Sequence, residues 1–485
     1  MAITQDGYNA KHRQELVARS LIGLGLAFLS AILLTLAFPP YNLWPLIWIG
    51  FIPMLLAQYK VMPEKISSLA LGVGVGGFFL GYFNDIFANS VWYMRYLPLL
   101  IAIIATLVGI GDRPFHKRTR FRWFLVQFPF LWVGIEMIRG IIPTFGTWGF
   151  VGYALYEQPW LIQPVSIFNI YGLDLLILLV NCAIAQGIMV LSDRNRGIVD
   201  SKRALISIGL LLIAWIVLSL VLLSSSQTEL RVAAIQPGNT IRTQEGLDKL
   251  YDMTRKAAGE GAKLIVWHEG ALPFDPQESH RADLQTLAAD TGAHIVIGYV
   301  VHTKTGSRNE ATLLAPNGKF LGTYGKDHPV AFVGETSLTR GTYPVYQTEL
   351  GPLGIIICYD LDFTDTARKI VKNGARLITI PSHDWSAIAS KHYSHLIFRA
   401  IENRVTMIKA DVGYDSAIVD PYGRIIERAV TPGYDCAILV ADVPLGKRNA
   451  LSITLGDWIG WLSIICMGIF IIYMPLTVFL KKSRL

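Results

Sequence analysis

Charge is scarce in this chain. Only 16% of its 485 residues are Asp, Glu, Lys or Arg, against about 25% in an average soluble protein, while 52% are hydrophobic. A disordered chain and a wholly soluble enzyme are both poor readings of that balance. Cysteine is scarcer still: Cys182, Cys358, Cys436 and Cys466 are too few to staple a chain of this length, so each is a candidate lone thiol. The formal charge of +7 would suit nucleic acid, but the basic residues flank apolar runs instead of forming a basic and aromatic surface. Nucleic acid is set aside as a partner.

Long hydrophobic runs, by contrast, are plentiful. Crossing about 30 Å of hydrocarbon takes roughly 20 apolar residues. Such runs fall at 16–38, 43–59, 67–83, 87–110, 122–142, 170–191 and 204–223, with one more at 458–480. The pattern predicts seven transmembrane helices, a polar domain and a final helix. The first run ends in Phe38-Pro39-Pro40 without a small-residue cleavage pattern, so it reads as a retained span. The fourth is interrupted by Asn89, Arg95 and Pro98.

Lys and Arg collect in short cytoplasmic loops. With the N-terminus inside, the inside segments carry Lys11, Arg13 and Arg19, then Lys60 and Lys65, then Arg113, Lys117, Arg118, Arg120 and Arg122, then Arg194, Arg196, Lys202 and Arg203, and finally Lys481, Lys482 and Arg484. The short outside loops hold little more than Arg95 and Arg139. The expected organisation is a membrane domain over 1–227, an extracytoplasmic catalytic domain over 228–448, and a last helix with a basic cytoplasmic tail over 449–485. The outside loop Pro143-Thr-Phe-Gly-Thr-Trp-Gly-Phe150 is placed to gate lipid access through Trp148 and Phe150.

From Glu229 to about Arg448, short β-branched runs alternate with amphipathic stretches, the pattern of an α/β domain. Strands are expected at 231–236, 263–267, 294–301, 310–315, 354–358, 377–381, 406–410, 416–419 and 437–442, and helices at 243–259, 281–291, 365–373 and 389–404. Three segments carry chemistry. Leu264-Ile-Val-Trp-His-Glu269 is an apolar strand ending on a carboxylate. Tyr324-Gly-Lys326-Asp327-His328, followed by Glu335, is a loop with a lysine among turn formers. Leu353-Gly-Ile-Ile-Ile-Cys358-Tyr359-Asp360 runs from an apolar strand into a thiol ahead of a helix. Taken singly, each has an ordinary reading: an exposed Glu, a surface Lys and a small buried Cys.

The place of Cys358 at a strand-to-helix turn changes its weight, because a side chain there projects into a cleft and helix amides favour negative charge. Free cysteine, with a pKa near 8.5, needs a neighbouring base or cation to act as a nucleophile. Glu269 as base, Lys326 as stabiliser of developing charge and Cys358 as nucleophile suffice for acyl transfer.

Glu, Lys and Cys in this order resemble the carbon-nitrogen hydrolase (nitrilase) superfamily. The stretches Leu36-Ala-Phe-Pro-Pro-Tyr-Asn-Leu-Trp-Pro45, Gly77-Phe-Phe-Leu-Gly81, Glu136-Met-Ile-Arg-Gly140 and Ile167-Phe-Asn-Ile-Tyr-Gly172 narrow the resemblance to the apolipoprotein N-acyltransferase family, over nearly the whole chain. That resemblance implies a nitrilase-like αββα sandwich mounted on a multi-span α-helical domain in a bacterial inner membrane. It implies transfer of an acyl chain from a phospholipid, through a cysteine thioester, to the amino group of a lipoprotein's diacylglyceryl cysteine. Glu269, Lys326 and Cys358 would be catalytic, with Glu335, Tyr359 and Asp360 supporting them. No cofactor or metal is required, since the donor is already an ester, and a monomer is expected to suffice.

The sequence departs from the family pattern at His268 (usually Pro), at Asp360 (usually Glu) and at Pro381-Ser-His-Asp-Trp385 (usually Asn-Asp-x-Trp). Cys-Tyr-Asp is also at home in soluble amidases, which keeps a membrane-tethered amide hydrolase, or a silent homologue acting as a binding protein, as alternatives. Asp384 and Trp385 are expected to line the cleft. His383, His392 and His395 look metal-like, but the apolar stripe Leu396, Ile397, Ala400 and Ile401 accounts for their helix as a packed one. Cys436 is read as a lone buried thiol near a strand.

Overall fold

The computed structural model describes residues 5–88, 92–191, 201–224, 227–238, 243–430 and 435–479. Asn89, Arg194, Arg196, Lys481, Lys482 and Arg484 lie outside them. Among the described residues, six helices are long and apolar enough to cross a membrane: Lys11–Ala37, Glu64–Ile86, Trp92–Arg118, Val165–Leu191, Lys202–Leu222 and Trp458–Thr477.

Two of the eight expected runs are not among these six, for a local reason in each case. Run 43–59 breaks into a 3-10 turn at Trp44–Trp48, a short α-helix at Ile52–Leu56 and a π turn at Ala57–Val61. Pro45 and Pro53 each lack an N–H and sit at a helix start, so the chain restarts its helix instead of continuing it. The freed backbone is satisfied inside the bundle: the Phe51 amide donates to Asn181 Oδ1 at 3.0 Å, and Asn181 Nδ2 donates to the Ile47 carbonyl at 2.9 Å. Run 122–142 forms the 17-residue helix Phe124–Gly140, about 25 Å long at 1.5 Å per residue, with Pro129 inside it.

Among the described residues, the α/β part contains twelve strands: β1 Leu230–Gln236, β2 Leu264–Val266, β3 His294–Thr303, β4 Gly306–Leu314, β5 Phe320–Gly325, β6 Val345–Thr348, β7 Gly351–Ile355, β8 Leu377–Pro381, β9 Thr406–Ala410, β10 Asp415–Val419, β11 Ile425–Val430 and β12 Ala437–Val443. They form two six-stranded sheets, ordered β12-β1-β2-β3-β4-β5 and β11-β10-β9-β8-β7-β6. Both are mixed, with parallel pairs β1/β2, β2/β3, β7/β8 and β8/β9 at their centres. Side chains alternate across a strand. Val232, Ala234, Leu264, Val266 and Val296 therefore face the second sheet, while Ala233, Ile235, Ile265, Trp267 and Ile295 pack under the helices Gln244–Gly259 and Arg281–Thr291. The helices Thr364–Lys372 and Ser386–Asn403 cover the second sheet, completing four layers of the nitrilase-like α/β type.

The helix Ser386–Asn403 also packs against the membrane helices, so both of its faces are buried. Polar ties cross this seam. Arg399 Nη2 donates to the Tyr153 hydroxyl at 2.8 Å, Arg404 Nη1 to Gln163 Oε1 at 2.6 Å, and Arg368 grips Asp457 through two bonds of 2.9 and 2.7 Å.

Candidate active site

Cys358 lies past β7, not within the strand expected over 354–358, because its φ of +44° is incompatible with extended backbone. Non-glycine residues adopt such a φ only when their surroundings enforce it. Here the enforcing group is Asp360, in the same 3-10 turn (Cys358–Asp362). Its Oδ2 accepts from the Ile357 amide at 2.9 Å and the Tyr324 hydroxyl at 2.7 Å, and its Oδ1 from the His328 amide at 2.8 Å. Asp360 thus shapes the turn that presents the sulfur, and the turn feeds the helix Thr364–Lys372. The Tyr359 hydroxyl donates to the Thr144 carbonyl at 3.0 Å, fastening the turn to the loop between membrane helices.

Glu269 follows β2, and its amide meets the Ser382 carbonyl at 3.3 Å. Lys326 is the first residue after β5. Neither fits its ordinary surface reading: Glu269 is 7% exposed, Lys326 2% and Cys358 6%. Lys326 Nζ donates to Glu269 Oε1 at 2.8 Å and to Glu335 Oε2 at 2.9 Å. Asn309, on β4, donates through Nδ2 to Glu269 Oε1 at 2.6 Å and to Glu335 Oε1 at 2.5 Å. Burial alone would push the Glu269 carboxyl up, but the Lys326 ammonium and the two hydrogen bonds hold it below the usual carboxylate range. Burial opposes the charge on Lys326, yet Glu269, Cys358 and Glu335 around it raise its pKa well above that of an ordinary lysine. The Cys358 thiol is pushed up by burial and by Glu269, and Lys326 offsets only part of this. At rest, therefore, the sulfur is protonated beside an ionised carboxylate.

Behind the sulfur lies a second buried charged cluster. Cys358 Sγ is 3.6 Å from Asp384 Oδ1. Asp384 Oδ2 accepts from His392 Nδ1 at 2.7 Å and from Lys409 Nζ at 2.8 Å, and Lys409 also grips Asp415. Burial would raise the Asp384 carboxyl, but His392 and Lys409 hold it well below the usual range. Burial would lower His392, but Asp384 and Asp362 push it up to about 9. His395, buried and stacked 4.1 Å from the Tyr153 ring, is pulled down to about 4. Ligand atoms of Cys358, Asp384 and His392, and of Asp384, Asp411 and Asp415, cluster tightly enough to hold a metal ion. However, the Lys409 ammonium and a charged His392 already supply the cations that these carboxylates need.

Both halves of the protein line a cavity of about 510 Å³. The membrane part contributes Phe83, Ile86, Leu97, Phe145 and Trp148, and the sheets contribute Glu269, Lys326, Glu335, Cys358 and Trp385. Phe150 does not reach this cavity. It is fully buried against Tyr171 and under the Arg139 guanidinium, 5.1 Å from its ring centre. The 143–150 loop can turn under Cys358 because Gly146 takes φ +52°, where a Cβ would lie 2.9 Å from that of Asp362. His268 is buried with both ring nitrogens unpartnered, so it makes no hydrogen bond to Glu269; burial, with His383 adding to it, pulls its pKa down to about 3. Cys436, expected to be buried, is exposed and free, 2.8 Å from Lys249 Nζ.

Asn309, Asp362 and Lys409 escaped the sequence reading, though two of them left a signal. Asn309 occupies an inward register of β4 shared with Ala311 and Leu313, and Lys409 stands inside the buried strand Thr-Met-Ile-Lys-Ala. A polar residue at an apolar register usually has a buried partner.

Sheets and site together define a carbon-nitrogen hydrolase domain carried on membrane helices. Residues 231–451 match the carbon-nitrogen hydrolase family, and residues 30–183 match the apolipoprotein N-acyltransferase N-terminal domain. The apolipoprotein N-acyltransferase of Geobacter metallireducens is 29% identical over 90% of this chain and 92% of its own length; that of Thermotoga maritima is 24% identical over 92% and 93%. Among solved structures, an amidase from Nesterenkonia sp. is similar at 23% identity and a TM-score of 0.38, covering 46% of this chain and 93% of that one. This chain belongs to the apolipoprotein N-acyltransferase family.

Proposed function

We propose that the protein is a phospholipid-dependent N-acyltransferase working by two-step transfer through Cys358. Glu269 takes the thiol proton as the sulfur attacks the ester carbonyl of a membrane phospholipid, and Lys326 stabilises the oxyanion that forms. Collapse expels the lysophospholipid alcohol, which receives the proton from Glu269, and leaves a thioester on Cys358. The amino group of a diacylglyceryl apolipoprotein then attacks the thioester, gives up its proton to Glu269 and departs as an amide while the thiol is restored. Glu335 and Asn309 keep Lys326 and Glu269 in register, and Asp360 keeps the sulfur at its turn.

The observation that carries this reading is the mixed origin of the cavity: membrane helices and their loop supply its apolar wall beside the Glu269, Lys326 and Cys358 side chains. Lipid-facing chemistry needs such a wall, whereas a soluble amide does not. Basic flanks on alternate loops support an α/β domain on the extracytoplasmic side of the inner membrane, and the proposed division into membrane domain, catalytic domain and final helix follows from it. Incubating the purified protein with phospholipid labelled in its acyl chain tests the reading. An acyl adduct on Cys358 that chases into the amino terminus of a lipoprotein peptide is expected. Release of free fatty acid alone would instead indicate a hydrolase.

A further inference from the structure

One buried carboxylate in the cavity wall is left over by this chemistry. Asp362 ends the turn that begins at Cys358, lines the same cavity and is 0% exposed. Its Oδ1 is contacted by His395 Nδ1 and lies 3.6 Å from His392 Nε2, whereas its Oδ2 accepts no hydrogen bond from the described residues. The other carboxylates around Cys358 have firm cationic partners: Glu269 and Glu335 share Lys326, and Asp384 holds Lys409 and His392. The backbone of Asp362 is pinned as well, since its carbonyl accepts from both the amide and the hydroxyl of Thr147 at 2.9 Å. A buried carboxylate oxygen without a donor is costly unless a ligand supplies one. Among the described residues none supplies one to Oδ2.

Resting on the acyl-transfer reading above, we infer that Asp362 Oδ2 is the recognition point for the primary ammonium of the acyl acceptor. The ammonium donates a charge-assisted hydrogen bond to it, which places the nitrogen in the cavity that Cys358 also lines; it gives one proton to the Asp362 carboxylate, from which the proton returns to water, and the neutral amine then attacks the thioester. Asp362 selects an amine over water or an alcohol as the acceptor; the acyl donor, which carries no such group at its ester, does not use it.

The test is made on the full-length protein in phospholipid vesicles, following acylation of Cys358 and its discharge by a synthetic diacylglyceryl-cysteine peptide separately. In D362N the KM for the peptide should rise about ten- to hundredfold, and acyl-enzyme should accumulate. H395Q removes the neighbour on Oδ1 but leaves Oδ2 free, so its peptide KM should rise far less. Equal losses in the two variants would mark the pair as structural and overturn the inference, as would an unchanged KM in D362N. A measurement on the unaltered protein guards against a variant that fails to fold. The same peptide with its terminal amine replaced by hydrogen should compete at least about tenfold more weakly than the amine, and equal competition would overturn the inference. If the unaltered protein never acylates Cys358, the acyl-transfer reading itself falls. If it acylates and the amine makes no difference, only this inference does.

Discussion

Two clusters of alternating charge meet at Cys358, and they are built for different tasks. On the first sheet's side, Glu269, Lys326 and Glu335 line the cavity, with Asn309 joining the two carboxylates. On the second sheet's side, Asp384, Lys409 and Asp415 are all 0% exposed, beneath a helix covered on both faces. Both lysines have their pKa raised by surrounding carboxylates against the pull of burial, but the sulfur is among the charges felt by Lys326 and not among those that set Lys409. The difference lies in reach. A cluster facing a cavity can pass a proton or hold a transient oxyanion, whereas a sealed one can only keep its geometry and that of its neighbours.

Two substitutions would break this contrast if it were wrong. E269Q keeps the shape and a hydrogen-bond acceptor but cannot take the thiol proton, so acylation of Cys358 should slow by about 10²- to 10⁴-fold, read by mass spectrometry of the protein after timed exposure to phospholipid. Folding should be little affected, since Asn309 and Lys326 still find partners. K409M should do the reverse. It strands Asp384 and Asp415 as buried carboxylates, costing about 3–5 kcal/mol in thermal unfolding in detergent, while acylation per folded molecule falls less than in E269Q. Loss of acylation in a K409M protein of normal stability would show that the second cluster takes part in the chemistry.

Legibility in the sequence followed the same division. Glu269 and Cys358 stood out because each sits where an apolar run stops, and Lys326 because it stands among turn formers in chain order between them; the structure brings all three to one cavity. The second cluster was less visible, because its residues are spread over the loop after β8, the helix that follows, β9 and β10, and only packing brings them together. Nine strands were visible as apolar or β-branched runs. The three that were missed, β5, β6 and β11, are all edge strands. β5 carries Gly322 and Gly325, which look like turn residues, β6 has only four residues, and β11 exposes Glu427 and Arg428. Charges and short length are what protect an edge from pairing with another chain, and they also weaken its hydrophobic signal. In the membrane half, hydropathy counted eight runs but could not tell a continuous helix from one that Pro45 and Pro53 restart.

The pH dependence of stability sharpens the comparison at the second cluster, where His392 also reaches the cavity wall. His392 is raised to about 9 in the folded protein, against about 6.5 when unfolded. Its ion pairs therefore stabilise fully below about pH 6.5, and that contribution, at most about 3 kcal/mol, is lost as pH rises toward 9. His395 works in the opposite direction. Lowered to about 4, it leaves stability intact above pH 6.5 and erodes it as pH falls toward 4. In H392Q the alkaline loss between pH 6.5 and 9 should flatten while the acid loss remains, as read by unfolding temperature across pH. An unchanged alkaline limb would mean that His392 is not charged in the folded protein.

The smallest effect belongs to an ion pair with neither burial nor a cavity. Arg231 and Asp442 face each other across β1 and β12, 2.8 Å apart, with side chains 41% and 53% exposed. Their geometry is as good as that between Lys326 and Glu269, so distance alone predicts a similar loss when either pair is cut. Solvent argues otherwise: exposed pairs contribute about 0–1 kcal/mol, and salt screens them. D442N should therefore shift stability by less than about 1 kcal/mol, shrinking further at high salt, with acylation of Cys358 unaltered. Arg231 loses little, because its Nε still donates to the Glu260 carbonyl at 2.8 Å. A loss in D442N as large as in K409M would mean that the contrast between the clusters arises from ion-pair geometry and not from their removal from water.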